Sequence, residues 1–582
     1  MKTFSLNKIS VALLLGLCVS FWACSDEFLE VDPTGQLTPE LLTSKAGIEG
    51  TLIGAYSMLG GRGNYFGGAS NWTNGSIQGG DANKGTNSGD FNDINFVQRF
   101  ELTPTARVPS DRWNSIYEGI TRANSVLKLL AITTDPAVTA EISQNLGAQA
   151  RFLRGHYYFQ LKITFNNVPF IDETQVSGEG LEEVTNKEEI WPKIEADFQY
   201  AYDNLPETQP EVGRANKWAA GSYLAKAKLY QKKYGEAKAL FDVIIENGQT
   251  SNGLAYGLVD NYADLFNAET ENNQEAIFAV QAAANTGTVN NANPDFVLNF
   301  PYNTGPSGPG NCCGFFQPSF ELTNSFRTTP DGLPLLDGSY RDPANELVTD
   351  QGLLSDAPFT PDAGPVDPRL DHSVGRRGIP YLDWGPFPGF DWTRDQNYAG
   401  PYAPKKYVYY KSQEGTLTDG SSWTRGYGAM NYMVIRFADV LLMAAEAEIE
   451  AGTIDKAREY VNMVRTRAAN SDYWVKNEDG SDAANYVINT YDDTWTDPEA
   501  ARTAVRFERK LELSGEGHRF HDLNRWGIVA QAMNSYLQYE GPKLPTALGG
   551  ASFTPNKNEY YPIPQGQIDI QGGDVLVQNP GY

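Results

Sequence analysis

A mainly α-helical fold, an irregular scaffold of paired helices carrying a large loop-rich region, is predicted by three observations. Apolar residues recur with helical spacing over residues 38–58, 110–164, 187–247, 433–470 and 496–538. Small residues hold matched places in two hairpins, since Ala227 and Ala237 are ten apart and so are Ala447 and Ala457. Such matching is a mark of tetratricopeptide-like repeat units. Between residues 281 and 432 the period is lost and Gly, Pro, Asn and aromatic residues take over.

Taken in order, the chain opens on a secretion signal. Lys2 and Lys8 are followed by the apolar run Val11 to Val19, too short to span a bilayer, and then by Phe21-Trp22-Ala23-Cys24. The small residue before Cys24 marks a lipoprotein processing site, whereas Leu17 disfavours cleavage before Cys18. Residues 1–23 are therefore expected to be a signal peptide and 24–582 one mature domain, lipid-anchored at Cys24 outside the cytoplasm. The formal charge of −26 repels phosphate backbones, so nucleic acid is excluded as a partner. After Cys18 and Cys24 only Cys312 and Cys313 remain. No disulfide framework can form; the two neighbours could close a vicinal disulfide or stay as two thiols.

The helical scaffold is expected over about 38–280 and 433–582. Leu224-Ala225-Lys226-Ala227 leads through Tyr230 to Tyr234 and Ala237 as one hairpin. Ile435, Ala438, Leu442, Ala445 and Ile449 share one helical face, Gly452 supplies a stop, and Asp455 through Arg467 forms the returning helix. The ligand-binding loops are placed at about 60–95 and 281–432. Residues 381–410 hold ten aromatic side chains in thirty, against 12% for the chain. That density argues against disorder and needs burial or a ligand.

Flat aromatic faces beside amides and carboxylates suit a sugar, whose C–H faces stack on rings and whose hydroxyls need donors and acceptors. Trp72, Trp384 and Trp392 are the expected stacking platforms, with Tyr65, Tyr302, Phe315 and Tyr398 as supports and Asp81, Asn83 and Arg394 as polar partners. His156, His372, His518 and His521 form no metal-ligand pattern, and no nucleophile, phosphate-loop or dinucleotide motif occurs. No catalytic residue and no cofactor is assigned. Calcium could enter acidic loops such as Asp331 to Asp342, although no EF-hand pattern is present. Glu508, Glu512 and Glu516, one turn apart among Arg506, Arg509 and Lys510, predict a helix face laced with local ion pairs. Arg519, Asp522, Arg525 and Trp526 predict a buried guanidinium–carboxylate pair stacked on indole.

Six segments in this order resemble one family, the SusD/RagB-type outer-membrane nutrient-binding lipoproteins of Bacteroidetes. They are Cys24-Ser25-Asp26-Glu27-Phe28-Leu29-Glu30 with Asp32-Pro33; Trp113 through Tyr117 to Arg122-Ala123-Asn124; and Arg151-Phe152-Leu153-Arg154 through Tyr157 to Val168-Pro169. The others are Arg436-Phe437-Ala438-Asp439 with Ala445-Glu446-Ala447; Glu508-Arg509 through Glu516-Gly517-His518-Arg519 to Arg525-Trp526-Gly527; and Tyr561-Pro562-Ile563-Pro564 with Gln578-Asn579-Pro580-Gly581-Tyr582. The resemblance implies about four tetratricopeptide-like helix pairs, display at the cell surface, and a non-catalytic lid that captures oligo- or polysaccharide for a SusC-like TonB-dependent transporter. A peptide-binding member of such an uptake system and a surface glycoside hydrolase are the rival expectations.

Overall fold

The structure is a computed structural model that describes residues 38–63, 65–175 and 180–582; the signal peptide, Cys24 and the acidic residues after it lie outside the described residues. The scaffold helices are α1 (Lys45–Tyr56), α2 (Arg107–Ile132), α3 (Ala140–Phe165), α4 (Trp191–Asn204), α5 (Lys217–Tyr230) and α6 (Tyr234–Asn247). After a long insertion come α7 (Phe437–Ala451), α8 (Ile454–Ala468), α9 (Pro498–Glu512), α10 (Arg519–Arg525) and α11 (Val529–Glu540). Each stretch with helical spacing overlaps helices of this set, although not every residue in it is helical.

Helices α1 to α8 pack each on the next, α6 against α7 included, so the repeat runs unbroken across the insertion. The α5–α6 and α7–α8 hairpins are thus neighbouring repeats, and Ala227, Ala237, Ala447 and Ala457 are all fully buried at their contacts. Close approach is visible elsewhere too: a Cβ on Gly119 of α2 would come within 2.6 Å of the Tyr157 ring on α3. Side-chain caps begin several helices: Thr139 accepts from Ile142 N, Asn216 from Ala219 N and Thr453 from Lys456 N.

Strand β2 (Ala276–Val280) pairs antiparallel with β4 (Tyr432–Arg436), bringing the two ends of the insertion side by side. The expected helical face therefore starts late: Ile435 lies on β4, opposite Phe278, and the helix begins at Phe437. Tyr432, Val434 and Ile435, aromatic and β-branched, find a strand partner, which overrides the helical period. Strand β1 (Ala82–Gly85) pairs antiparallel with β3 (Phe315–Pro318) and ties the 60–95 loop into the insertion.

The charged run on α9 is corrected by the structure. Instead of pairing along their own helix, Glu508 meets Arg369 and Arg465, Glu512 meets Arg369, Arg436 and Arg467, and Glu516 meets Arg436 and Lys406. Glu275 on Arg436 and Arg467, and Asp367 on Arg369, complete one buried network of five cations and five carboxylates. Asp367, Arg369 and Lys406 belong to the insertion, so this balanced network joins it to α8 and α9. Burial alone would raise the Glu516 pKa, but Arg436 and Lys406 more than offset it and hold it below the usual range. Arg525 does pair with Asp522 at 2.7 Å and with Glu446 at 2.6 Å, and it stacks on Trp526 at 5.0 Å, as its spacing predicts.

Candidate functional site

A separate aromatic cluster forms within the insertion from Phe300, Tyr381, Trp384, Phe387, Trp392 and Tyr409. Its rings meet mainly edge to face: Trp392 lies 5.7 Å from both Tyr381 and Phe387, and Trp384 lies 5.9 Å from Tyr409. The Trp384 indole N–H donates to the Tyr409 carbonyl oxygen at 3.1 Å, which fixes that ring. Turns rich in Pro and Gly bend the 378–392 segment back on itself, with Gly378 N donating to Phe387 O and Phe387 N to Ile379 O.

One side of this cluster opens to solvent as a cavity of about 650 Å³. Tyr302, Trp384, Trp392 and Phe390 supply its rings, Pro386 and Pro388 more apolar wall, and Asn303, Thr304, Ser307, Asp391 and Thr393 its polar groups. Phe390 is 37% exposed, whereas Trp384 and Trp392 are only 8% and 7% exposed and offer limited parts of their rings. Backbone contacts hold the two walls together: Tyr302 N donates to Trp392 O at 2.9 Å. The Arg394 guanidinium lies over the Tyr302 ring at 4.8 Å while donating to Thr86 Oγ1 and pairing with Asp90. It therefore braces Tyr302 against the β1 loop.

Four of the nominated residues, Tyr302, Trp384, Trp392 and Arg394, are thus brought together. The structure corrects the others. Trp72 is 1% exposed, donates its indole N–H to Tyr65 O and packs edge-on against Phe315 and Phe316. Phe315 is fully buried on β3. Asp81 accepts from Ser76 Oγ and Gly515 N, and burial pushes its carboxyl up to about 6. Asn83 is spent between Glu540 and Tyr536, and Tyr398 donates to Asn95 Oδ1 and accepts from Gln98 Nε2. Tyr65 is half-buried, edge-on to Phe91 and outside the cavity wall. The physical reason is shared: the β1–β3 ladder folds this Gly- and Asn-rich loop beneath the insertion and against α10 and α11, where irregular backbone is enclosed rather than presented.

Cys312 and Cys313 form a vicinal disulfide. It lies behind the cavity wall, where Cys313 N donates to Leu298 O and Gly314 N to Phe300 O, two residues before Tyr302. Phe390 is one of the ten aromatic residues of 381–410 but not one of the nominated ones, and Asp391, Asn303, Thr304 and Ser307 carry a single signal: they flank Trp392 and Tyr302 in turns. Among the described residues no group of three His, Cys, Asp or Glu side chains is placed to hold a metal. Burial holds the His156 and His521 imidazoles down to about 3, so both are neutral packing groups. No helix among the described residues is long and apolar enough to cross a membrane.

Comparison with known proteins agrees with this architecture. A family described as starch-binding and associating with the outer membrane matches residues 27–229. SusD-like protein P25 of Formosa agariphila is 28% identical, covering 98% of this chain and 99% of its own. Two solved structures share the fold: a laminarin binding SusD-like protein (24% identical, TM-score 0.65, 93% of this chain and 100% of that one) and surface glycan-binding protein A from Bacteroides thetaiotaomicron in complex with laminarihexaose (20%, TM-score 0.62, 92% and 99%). With the SusD family itself matched over residues 274–582, more than half of its length, the chain belongs to the SusD family.

Proposed function

We propose that this protein is a cell-surface glycan-binding lipoprotein that holds a neutral oligo- or polysaccharide in the aromatic cavity and passes it to a TonB-dependent outer-membrane transporter, for which it acts as a lid. The observation that carries the reading is the cavity itself, an open space of about 650 Å³ where rings from two loops stand among hydroxyls, an amide and one carboxylate. Pyranose rings match that mixture, with apolar faces for the aromatics and a rim of hydroxyls for the polar groups. A solved structure named for laminarin binding and a matched family described as starch-binding support the same class of ligand. Lipid on Cys24 would tether the protein to the membrane, and the acidic residues 26, 27 and 30 after it resemble a surface-export signal.

Binding without catalysis is part of the proposal. Glycoside hydrolysis generally takes a pair of carboxyl groups flanking the scissile bond, and Asp391 is the one carboxylate among the residues lining this cavity. Affinity electrophoresis of the mature protein through gels cast with starch, laminarin, xylan and mannan tests both points. Retardation by one of them, with no shortening of the glycan, is the expected result. Release of short products would establish a hydrolase, and no retardation by any would shift the cargo to peptide.

A further inference from the structure

Beside the cavity, residues 421–427 form a loop whose Trp423 is 53% exposed, the one exposed tryptophan among the described residues. Its indole N–H is already used, donating to the Tyr427 hydroxyl at 2.9 Å, and the two rings meet edge to face at 6.1 Å. With its one polar group paired in this way, the part of the ring that meets water is hydrocarbon. Tyr427 is itself buried, so the support is rigid.

The loop is fastened to the cavity wall. Arg425 donates to the carbonyl oxygens of Gly305 and Gly308, and Thr424 Oγ1 donates to Gly310 O at 2.8 Å. Gly308 in turn lies against Trp392, so closely that a Cβ there would come within 2.3 Å of the ring. Thr304 and Ser307 of the same 304–310 turn line the cavity, and Trp423 is two residues from Arg425, a span of at most about 7 Å of chain, so the loop that carries Trp423 is joined to one edge of the cavity. Arg425 also pairs with Glu414, which leaves no unpaired charge on that cation.

We propose that Trp423 is a second stacking platform, taking sugar units of the same neutral glycan beyond those held in the cavity, so that the ligand is an extended chain. This rests on the glycan reading above. The ordering of the ring, usually a cost of binding, is supplied in advance by Tyr427. A fixed aromatic face outside the cavity contributes to affinity only when the ligand is long enough to reach it.

The test compares wild type, Trp423→Ala, Trp423→Phe and Tyr427→Phe by calorimetry with the disaccharide and hexasaccharide of whichever gel polysaccharide retards the protein. Trp423→Ala is expected to weaken hexasaccharide binding about tenfold, equivalent to about 1.4 kcal/mol, and to leave disaccharide binding unchanged. Trp423→Phe should retain most of the affinity, and Tyr427→Phe, which frees the indole, should fall between. Equal hexasaccharide affinity in wild type and Trp423→Ala would overturn the second platform while leaving the cavity reading intact. Equal losses for both ligand lengths would also overturn it, because the ring would then act through the cavity. A wild type that binds none of the glycans would overturn both readings together.

Discussion

Replacing Arg436 by Met should be among the most destabilising changes in this molecule. All five guanidinium N–H groups have acceptors: Nε and one Nη2 proton serve the Glu516 carboxylate, Nη1 serves Glu275 and Glu512, and the second Nη2 proton serves the Glu512 carbonyl. Arg436 and the three carboxylates are all essentially buried. Because the network balances five cations against five carboxylates, Arg436→Met leaves one uncompensated buried negative charge. Breaking a buried pair this way costs about 3–5 kcal/mol, a large share of the roughly 5–15 kcal/mol that holds a domain together. The pH dependence identifies the cause. In the wild type, Glu512 and Glu516 titrate below the usual carboxylate range, so their stabilisation is present above the unfolded pKa and is lost only as pH falls through the folded values. In Arg436→Met one of them can take up a proton to restore balance, so its deficit should shrink between pH 7 and pH 5. Adding Glu516→Gln should recover part of the loss at pH 7. Urea unfolding of the three proteins at both pH values is the assay. A deficit below about 1 kcal/mol at pH 7, or one that is the same at pH 5, would refute the reasoning.

Three further outcomes are expected. Trp72→Ala should cost about 3–5 kcal/mol of stability as a core cavity, yet leave the glycan affinity of the folded protein unchanged; unfolding curves beside calorimetry check both. Phe390→Ala should do the reverse, costing less stability than Trp72→Ala because more than a third of the residue is already exposed, while weakening glycan binding severalfold in the same calorimetry. Burial pushes Glu540 up to about 7, the hydrogen bonds from Asn83 and the Phe320 and Glu321 amides only partly opposing it. Its neutral form therefore contributes stability that is complete below about pH 4.5 and is lost as pH rises through 7. Glu540→Gln should remove that share of the decline in urea stability between pH 5 and pH 8, and an unchanged slope would show that Glu540 is already charged.

Periodicity and spacing carried the fold well because helical hairpins are local objects. Ala227 and Ala237 could be matched with Ala447 and Ala457 without knowing that 189 residues between α6 and α7 fold aside. The β2–β4 pairing that closes this insertion joins segments far apart in sequence, and no local pattern at Ile435 distinguishes a strand from the start of a helix. Long-range charge pairing is hidden for the same reason. The spacing of Glu508, Glu512 and Glu516 suggests neighbours along the helix, whereas a buried carboxylate takes whichever guanidinium the tertiary fold brings to it.

The site was legible only where two signals agreed. Trp72 and Trp392 both sit in Gly- and aromatic-rich stretches, and composition alone ranks them alike. What separates them is which loop lies on top. The 60–95 loop is covered because β1 has a partner strand in the insertion, and every polar group nominated there, Asp81 and Asn83, is consumed by burial. The 378–393 segment is itself the covering layer, and its paired turns leave one edge of the aromatic cluster facing water. An aromatic residue in a turn flanked by Pro386, Pro388 and Gly389 is harder to bury than one beside a potential strand, since prolines remove the donors that a covering strand would need. By that criterion Phe390, Trp392 and Tyr302 would have ranked above Trp72 and Phe315 from the sequence alone.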